Sequence, residues 1–326
     1  MARILTGVQS TGTPHLGNLL GAILPAIELS NQPGNDSFLF IADMHSLTQI
    51  KDGALLRNHT YSVAATWLAC GLDPEKTVFY RQSDVPEAAE LAWILSCYFP
   101  YQRLTLAHSF KDKADRLEDV NAGLFYYPML MAADILLYDA NEVPVGKDQL
   151  QHLEITRDVA SRFNNQMGET FVIPDARVQQ ETMYIIGTDG QKMSKSRDNF
   201  INIFISDKEL KDTINKKIVT DTTPLEEPKD PDSATVYQLY KLVASADQAN
   251  EMASKLRAGG YGWGHAKKDL FEAILTRFQK EREMYNSLMS DKSQIDNVLA
   301  SGAKKARVVA HEVLGRARKV SGFGQS

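Results

Sequence analysis

The stretch Arg3-Ile-Leu-Thr-Gly-Val-Gln-Ser-Thr-Gly-Thr-Pro-His-Leu-Gly-Asn18 decides the fold of this chain. Its first part, Arg3 to Val8, is predicted to be a short strand, and apolar residues at helical spacing predict a helix from Leu16 to about Leu29. Glycines and a proline mark the loop between them. A turn of this kind presents backbone N–H groups and the positive end of a helix dipole to an anion. The stretch therefore indicates either a phosphate-binding loop or an ordinary strand–helix connection, and it matches neither GxGxxG nor the P-loop pattern.

The segments that follow continue the alternation of strand and helix. Ser37 to Asp43 is a continuous apolar run, which is typical of a strand buried on both faces of a parallel sheet. A helix is predicted from about Gly53 to Cys70 and a further strand from Thr77 to Gln82. This order is the pattern of a parallel βαβ sheet with right-handed crossovers, and it predicts an α/β fold.

The rest of the chain is predicted to be mainly helical. A helical insertion is expected at about residues 86–140, with its most apolar helix from Pro128 to Tyr138. Two short strands are expected around the helix Asp148–Phe163, at Glu142–Val145 and Met183–Ile186. Helical patterns near 207–219, 234–256, 266–290 and 293–320 predict a second, all-helical domain. The predicted domains are thus an α/β domain at 1–200 and a helical domain at 201–326.

Composition excludes several classes of protein. The chain is 43% hydrophobic and 24% charged, as in ordinary globular proteins, and its net charge of −5 gives no overall basic field. Its two cysteines lack CxxC spacing and its seven histidines form no HExxH motif, so neither a disulfide framework nor a protein-held metal is expected. No signal-peptide pattern or long apolar run occurs, which predicts a cytoplasmic protein without a membrane span.

A second polar motif is Lys192-Met-Ser-Lys-Ser196. Two ammonium groups and two hydroxyls in a loop suit the charge that develops on a pyrophosphate leaving group. The same residues also fit a solvated basic loop.

Two acidic positions have similarly open interpretations. Asp134 lies in the middle of the most apolar helix, where a carboxylate needs a partner. It either pairs structurally or faces a pocket and accepts a hydrogen bond from a ligand. In Gly146-Lys-Asp-Gln149, Asp148 fits a helix N-cap and also a ligand for a ribose hydroxyl.

The end of the chain is locally basic. Between Gly302 and Val320, Glu312 opposes six basic residues, namely Lys304, Lys305, Arg307, Arg316, Arg318 and Lys319. This run indicates either a solvated helix face or contact with nucleic-acid phosphates.

Together, the motifs resemble the signatures of class I aminoacyl-tRNA synthetases. His15-Leu-Gly-Asn18 is similar to the HIGH signature, with Asn in the last place, and Lys192–Ser196 matches KMSKS about 175 residues later. Further stretches are similar to bacterial-type tryptophanyl-tRNA synthetases. These stretches are Gly7-Val-Gln-Ser-Thr-Gly12, Tyr127-Pro-Met-Leu-Met-Ala-Ala-Asp-Ile-Leu-Leu-Tyr138, Pro144-Val-Gly-Lys-Asp-Gln149, His152-Leu-Glu-Ile-Thr-Arg-Asp158 and Gly260-Tyr-Gly262.

The chain also departs from that family. Ser10 and Thr11 replace the usual Pro-Ser, and Lys147 stands where an acidic residue is common. Leu5 stands where an aromatic residue is frequent, which puts in question a stacking role for position 5.

The resemblance implies a Rossmann catalytic domain, a helical anticodon-binding domain and a homodimer. The implied reaction joins ATP, accompanied by Mg²⁺, to L-tryptophan as tryptophanyl-adenylate and then charges tRNA(Trp). The implied catalytic residues are Lys113, Lys192 and Lys195. The implied ATP-binding residues are Gln9, Ser10, Thr11, His15, Gly17, Asn18, Gly146, Lys147, Asp148, Met183, Lys192, Met193, Ser194, Lys195 and Ser196.

The resemblance likewise implies a pocket for the amino acid. Its expected residues are Gly7, His45, Tyr127, Met131, Asp134, Val143, Val145 and Gln149. Asp134 is expected to accept the indole N–H, and Tyr127 and Gln149 to bind the α-amino group. Three alternatives remain: a tyrosyl-tRNA synthetase of the same fold, a non-catalytic tRNA-binding paralogue, and a nucleotidyltransferase that does not use tRNA. Asn18 and the Ala-Ala-Asp-Ile helix favour tryptophan over tyrosine.

Overall fold

A single parallel sheet organises the protein. The computed structural model describes residues 2–105, 120–146, 150–178 and 185–324. The strand order is β3-β2-β1-β4-β5. The strands are β1 (Ala2–Val8), β2 (Asn35–Ile41), β3 (Thr77–Arg81), β4 (Glu142–Val145) and β5 (Asp175–Val178). The chain order reverses at β1, which lies between β2 and β4, so a ligand crevice is expected at the carboxyl ends of these strands.

The predicted α/β class and Rossmann-type sheet are confirmed, and the first four strands lie close to their predicted positions. β5 was not predicted, because two of its four residues, Asp175 and Arg177, are charged and the segment carries no apolar run. The first half of the strand predicted at Met183–Ile186 lies outside the described residues. Its last residue, Ile186, forms one antiparallel bridge with Lys192.

Helices cover both faces of the sheet. In the first half of the chain they are α1 (Leu16–Asn18), a π-helical stretch (Leu19–Ile23), α2 (Leu24–Asn31), α3 (Asp43–Ser46), α4 (Gly53–Ala69), α5 (Glu87–Ser96), α6 (Tyr101–Thr105), α7 (Ala122–Leu136) and α8 (Leu150–Met167). α7 begins six residues before its predicted start at Pro128, because the Asn121 side chain caps it by accepting the Leu124 N–H.

The last third of the described chain is helical, as predicted. Its helices are α9 (Asp207–Lys217), α10 (Thr235–Tyr240), α11 (Ala246–Ala258), α12 (Trp263–Arg277), α13 (Gln279–Ser290) and α14 (Ser293–Val320). Two predicted helices are each divided in two. The division before α11 follows from Ser245, which starts a new helix with a capping box.

Two hydrophobic cores lie on opposite faces of the sheet. Alternate residues of β2 point to each, with Leu39 in the first core and Phe40 in the second. The first core continues from α4 into the helical third, where it includes Leu270 and Ile274. The buried core is therefore continuous across residue 200, and a domain boundary there stays a prediction.

The C-terminal helix α14 returns to the sheet and packs on β3 and α5. At the crossing, the backbones approach so closely that a Cβ on Gly302 would overlap the Phe79 carbonyl oxygen. In this packing, three arginines of the basic run form ion pairs with acidic residues of the rest of the protein. Arg307 pairs with Glu87 at 2.9 Å, and two further arginines of the run also pair with acidic residues. Those pairs are Arg316 with Asp139 and Arg318 with Glu90.

Candidate active site

A cavity of about 470 Å³, here called the enclosed cavity because it is less open to solvent than the second cavity described below, lies at the carboxyl ends of β1 and β4. Its wall is mainly apolar with a few polar groups, as is usual for a small-molecule site. The lining residues are Leu5, Thr6, Gly7, Gln9, Phe40, Ala42, His45, Tyr127, Met131, Asp134, Ile135, Val143, Pro144, Val145 and His152. Every predicted amino-acid-binding residue that the structure describes is among them.

Asp134 is the buried acidic group of this cavity, and it is only 4% exposed. The Gln82 side-chain amide nitrogen lies 2.8 Å from each carboxylate oxygen, and His45 Nε2 lies 2.9 Å from Oδ2. An ionised carboxylate only accepts, so His45 Nε2 carries the proton in this pair. Burial raises the pKa of Asp134, and the bonds from His45 and Gln82 oppose that rise. Asp134 therefore both pairs structurally and faces a pocket.

An aromatic ring reaches the cavity from β2. Phe40 lies opposite Gly7 in the parallel register, and a Cβ on Gly7 would be 2.5 Å from the Cζ atom of that ring. Only glycine leaves room for Phe40 here. Leu5 lines the same wall, so the ring is supplied by the neighbouring strand rather than by position 5. Sequence reasoning missed Phe40 because a continuous apolar run does not show which side chains face a pocket.

A second cavity of about 400 Å³ lies where the two signature segments meet, and it is here called the nucleotide cleft after the ligand that the sequence resemblance implies. Its lining residues are Thr11, His15, Gly17, Asn18, Gly21, Ala22, Ile185, Lys192, Met193, Ser194 and Lys195. The backbone N–H of Gly17 donates to Met193 Sδ at 3.2 Å, and Lys195 Nζ donates to the Thr11 carbonyl at 3.1 Å. Two segments that are distant in sequence thus form one cleft.

His15 shapes the floor of the nucleotide cleft. Its Nδ1 accepts the Asn18 N–H at 3.2 Å, and the Asn18 side chain accepts the His15 N–H at 3.1 Å, which makes a capping box for α1. Burial and the nearby Lys195 ammonium lower the pKa of His15 to about 4. His15 is therefore neutral near pH 7. Burial also lowers the pKa of Lys195.

Hydroxyl groups hold the loop between the two cavities. The Ser10 N–H and Oγ each lie 3.1 Å from Ser46 Oγ. Ser62 Oγ donates to Thr13 Oγ1 at 2.8 Å and also lies 2.8 Å from the hydroxyl of Tyr285, on α13. No local pattern in the sequence indicates this row of hydrogen-bonded hydroxyl groups, since Thr13, Ser62 and Tyr285 come from three distant segments.

Not every predicted nucleotide-binding residue lines the nucleotide cleft. Gln9 lines the enclosed cavity, and Ser10 is fully buried against Ser46. Ser196 and Gly146 line neither cavity. Five predicted residues lie outside the described part of the chain: Lys113, Lys147, Asp148, Gln149 and Met183.

Two features are absent from the described residues. No group of three or more His, Cys, Asp or Glu side chains is placed to hold a metal ion. None of the helices in the described ranges is both long and apolar enough to cross a membrane.

Comparison with known proteins decides the family. The model of the family "tRNA synthetases class I (W and Y)" matches residues 1–279. The tryptophan–tRNA ligase of Neisseria meningitidis is 44% identical, over 98% of each chain. That of Fusobacterium nucleatum is 46% identical, over 99% of this chain and 98% of its own. The chain belongs to the class I tRNA synthetases, among the bacterial-type tryptophan–tRNA ligases.

Solved structures of this ligase family agree with that assignment. The fold is similar to a tryptophanyl-tRNA synthetase from Campylobacter jejuni crystallised with ADP and tryptophan. The TM-score is 0.95 at 44% identity, and the match covers 98% of this chain and all of that one. The family match ends at residue 279, whereas the structural match covers nearly the whole chain and therefore includes α14.

Proposed function

We propose that this chain is a tryptophan–tRNA ligase. It activates L-tryptophan with ATP to tryptophanyl-adenylate and pyrophosphate, and then transfers the tryptophanyl group to tRNA(Trp). The observation that carries this proposal is the pair of neighbouring cavities joined by residues 9–11, one enclosed around Asp134 and one between the two signature segments. The C. jejuni structure with ADP and tryptophan supports both ligands.

The nucleotide cleft receives ATP. Gly17 allows close approach at the N-terminus of α1, and Asn18 is exposed beside it. Lys192 and Lys195 supply positive charge for the phosphates, and their loop neighbours Met193, Ser194 and Ser196 complete the KMSKS segment. Magnesium arrives with ATP, since it commonly binds proteins through substrate phosphates. Lys113, Lys147, Asp148 and Met183 retain the nucleotide-binding roles that the resemblance implies.

The enclosed cavity receives tryptophan. A carboxylate has about four lone-pair positions, and His45 and Gln82 leave Asp134 the capacity to accept the indole N–H. Phe40, Met131 and Val143 contact the ring. Tyr127, with Gln149, binds the α-amino group. Gly7, His45 and Val145 complete the wall.

Activation needs no enzyme nucleophile. The tryptophan carboxylate oxygen attacks the α-phosphorus in line, the bond from that phosphorus to the β-phosphate oxygen breaks, and pyrophosphate leaves. Catalysis then consists of positioning two substrates and stabilising the charge on the leaving group. Lys192 and Lys195 provide that charge stabilisation from the loop, together with Lys113.

The tRNA and the second subunit use other surfaces. Lys304 and Lys305 stay exposed on α14 and are available to nucleic-acid phosphates, whereas Arg307 is paired with Glu87. Trp93 and Tyr101 are each 66% exposed, and the homodimer is the one that the family resemblance implies. The helical third of the chain is assigned to binding the anticodon of the tRNA. The reaction is assigned to the cytoplasm.

The test is ATP–pyrophosphate exchange with each of the twenty amino acids. We expect exchange with tryptophan and little with tyrosine. Exchange driven by tyrosine would replace this assignment with the tyrosyl enzyme, and exchange with no amino acid would favour a non-catalytic tRNA-binding protein. Exchange that is followed by no transfer to tRNA would indicate a nucleotidyltransferase.

A further inference from the structure

Gln82 is a buried polar residue that the proposed reaction does not yet use. It begins the 3₁₀ turn after β3, and it is 1% exposed. The Gln82 Oε1 atom accepts the backbone N–H of His45 at 3.4 Å, which fixes the orientation of the amide. The NH₂ group therefore faces Asp134, with Nε2 at 2.8 Å from each carboxylate oxygen.

This arrangement gives the carboxylate a fixed direction. His45 holds Oδ2 from one side, and Gln82 holds both oxygens from the end of β3. We infer that Gln82 is a positioning residue for amino-acid selection, whose amide holds Asp134 as the acceptor for the ring N–H of bound tryptophan. This inference rests on the proposed function and names a determinant of its specificity.

The charge of Asp134 depends on the groups that face it. From α3, Asp43 raises the pKa of Asp134 and His45 lowers it, while burial is the largest influence and raises it. Tyr80 on β3 and Tyr138 after α7 also lie near the carboxylate, and burial raises the pKa of both phenols, so they stay neutral near pH 7. The hydrogen bond from the Gln82 amide is therefore one of the interactions that favour the ionised carboxylate against the effect of burial.

Loss of the amide should act in two ways. The carboxylate loses its orientation, and its pKa rises further because one stabilising donor to the ionised form is gone. The ionised fraction then falls as the pH is lowered, and it falls sooner than in the wild-type protein. Both effects act on a ligand with a ring N–H and spare a ligand without one.

The experiment measures tryptophan-dependent exchange by full-length wild type and Gln82→Met between about pH 6 and 9. The second probe is the benzothiophene analogue of tryptophan, measured as an inhibitor, because sulfur replaces the N–H in a ring of similar shape. We expect the KM for tryptophan to rise about ten- to a hundredfold, as for loss of a hydrogen bond to a charged group. The Ki of the analogue should change little. The acidic limb of kcat/KM for tryptophan should move to higher pH.

Gln82→Asn provides a second variant in case the apolar one does not fold. Its shorter amide does not span the distance to Asp134, so the binding of tryptophan should again weaken more than the binding of the analogue. The KM for ATP should stay at the wild-type value in both variants. Equal losses for tryptophan and the analogue, with an unmoved pH profile, would overturn the role of Gln82. A wild-type protein that does not activate tryptophan would instead overturn the proposed function itself.

Discussion

The enclosed cavity and the nucleotide cleft are built in opposite ways. In the enclosed cavity, Asp134 is buried and held by two donors from neighbouring segments, so the polar group is in place before any ligand binds. In the nucleotide cleft, Lys192 is exposed, and Lys195 donates to the Thr11 carbonyl, a bond that it must exchange for phosphate oxygens. Selection of the amino acid is therefore preorganised, whereas stabilisation of the leaving group is assembled with ATP.

The difference follows from the chemistry that each site must perform. A buried acceptor that is left unpaired penalises every ligand lacking the matching donor, so rigidity improves discrimination. A pyrophosphate group gains charge only as the reaction proceeds, so cations at an accessible edge suit it. Variants of the two cavities should consequently fail in different kinetic parameters.

The largest effect is expected at Asp134. The wild-type protein should prefer tryptophan over tyrosine by about 10⁴, and Asp134→Ala should lose most of that preference because the selective acceptor is gone. Exchange rates with each amino acid at limiting concentration measure this ratio. An unchanged preference in the variant would show that selection is made elsewhere in the cavity.

Lys195→Ala tests the nucleotide cleft. The rate of adenylate formation should fall by about 10²–10³, as for removal of a donor that stabilises developing charge. The KM for ATP should change much less, because the effect is largest in the transition state. Single-turnover kinetics measure the rate of adenylate formation separately from the binding of ATP. Lys216→Ala removes a lysine that pairs with Asp212 on the protein surface, and it should behave as wild type. A defect confined to ATP binding would contradict the assembled-cleft account.

Phe40→Leu tests whether the ring of Phe40 contacts tryptophan in the enclosed cavity. Loss of the ring should raise the KM for tryptophan up to about tenfold, the range for an aromatic contact, without changing the KM for ATP. Phe38→Leu is the matched control, since Phe38 lies on the same strand and face but packs against Tyr138 at 5.0 Å between ring centres. If both variants raised the KM for tryptophan equally, the effect would be one of packing rather than ring contact.

The smallest effect is expected from Tyr285→Phe, which removes a hydroxyl that reaches the loop through Ser62 and Thr13. The KM for ATP should rise about fivefold, as for one net hydrogen bond, while the KM for tryptophan stays unchanged. Tyr61→Phe is the control, because Tyr61 bonds Asp296 and lies outside this chain of hydroxyls. A rise in the KM for tryptophan alone would assign the loop to the other cavity.

Much of this could be predicted from local pattern. The strand–glycine–helix stretch and the apolar run at Ser37–Asp43 indicated a parallel sheet, because such patterns reflect burial on both faces. The two signature motifs indicated a shared cleft, and the structure brings Gly17 within 3.2 Å of Met193 Sδ.

The rest depends on contacts that no local pattern records. Phe40 lines the enclosed cavity because of strand register, and Gln82 contacts Asp134 in its wall because of the position of a turn. The charge of the C-terminal run is visible in the sequence, yet the pairing of Arg307 with Glu87 depends on α14 returning to the sheet. Similarly, Tyr285 reaches the loop across the first hydrophobic core.

The most direct test of the two-cavity account is a crystal structure of the protein with a non-hydrolysable sulfamoyl analogue of tryptophanyl-adenylate. The account predicts the indole nitrogen at about 3 Å from an Asp134 carboxylate oxygen. It also predicts the adenosine between residues 15–18 and 192–196. An adenosine bound away from those segments, or an indole ring outside the cavity of Asp134, would contradict it.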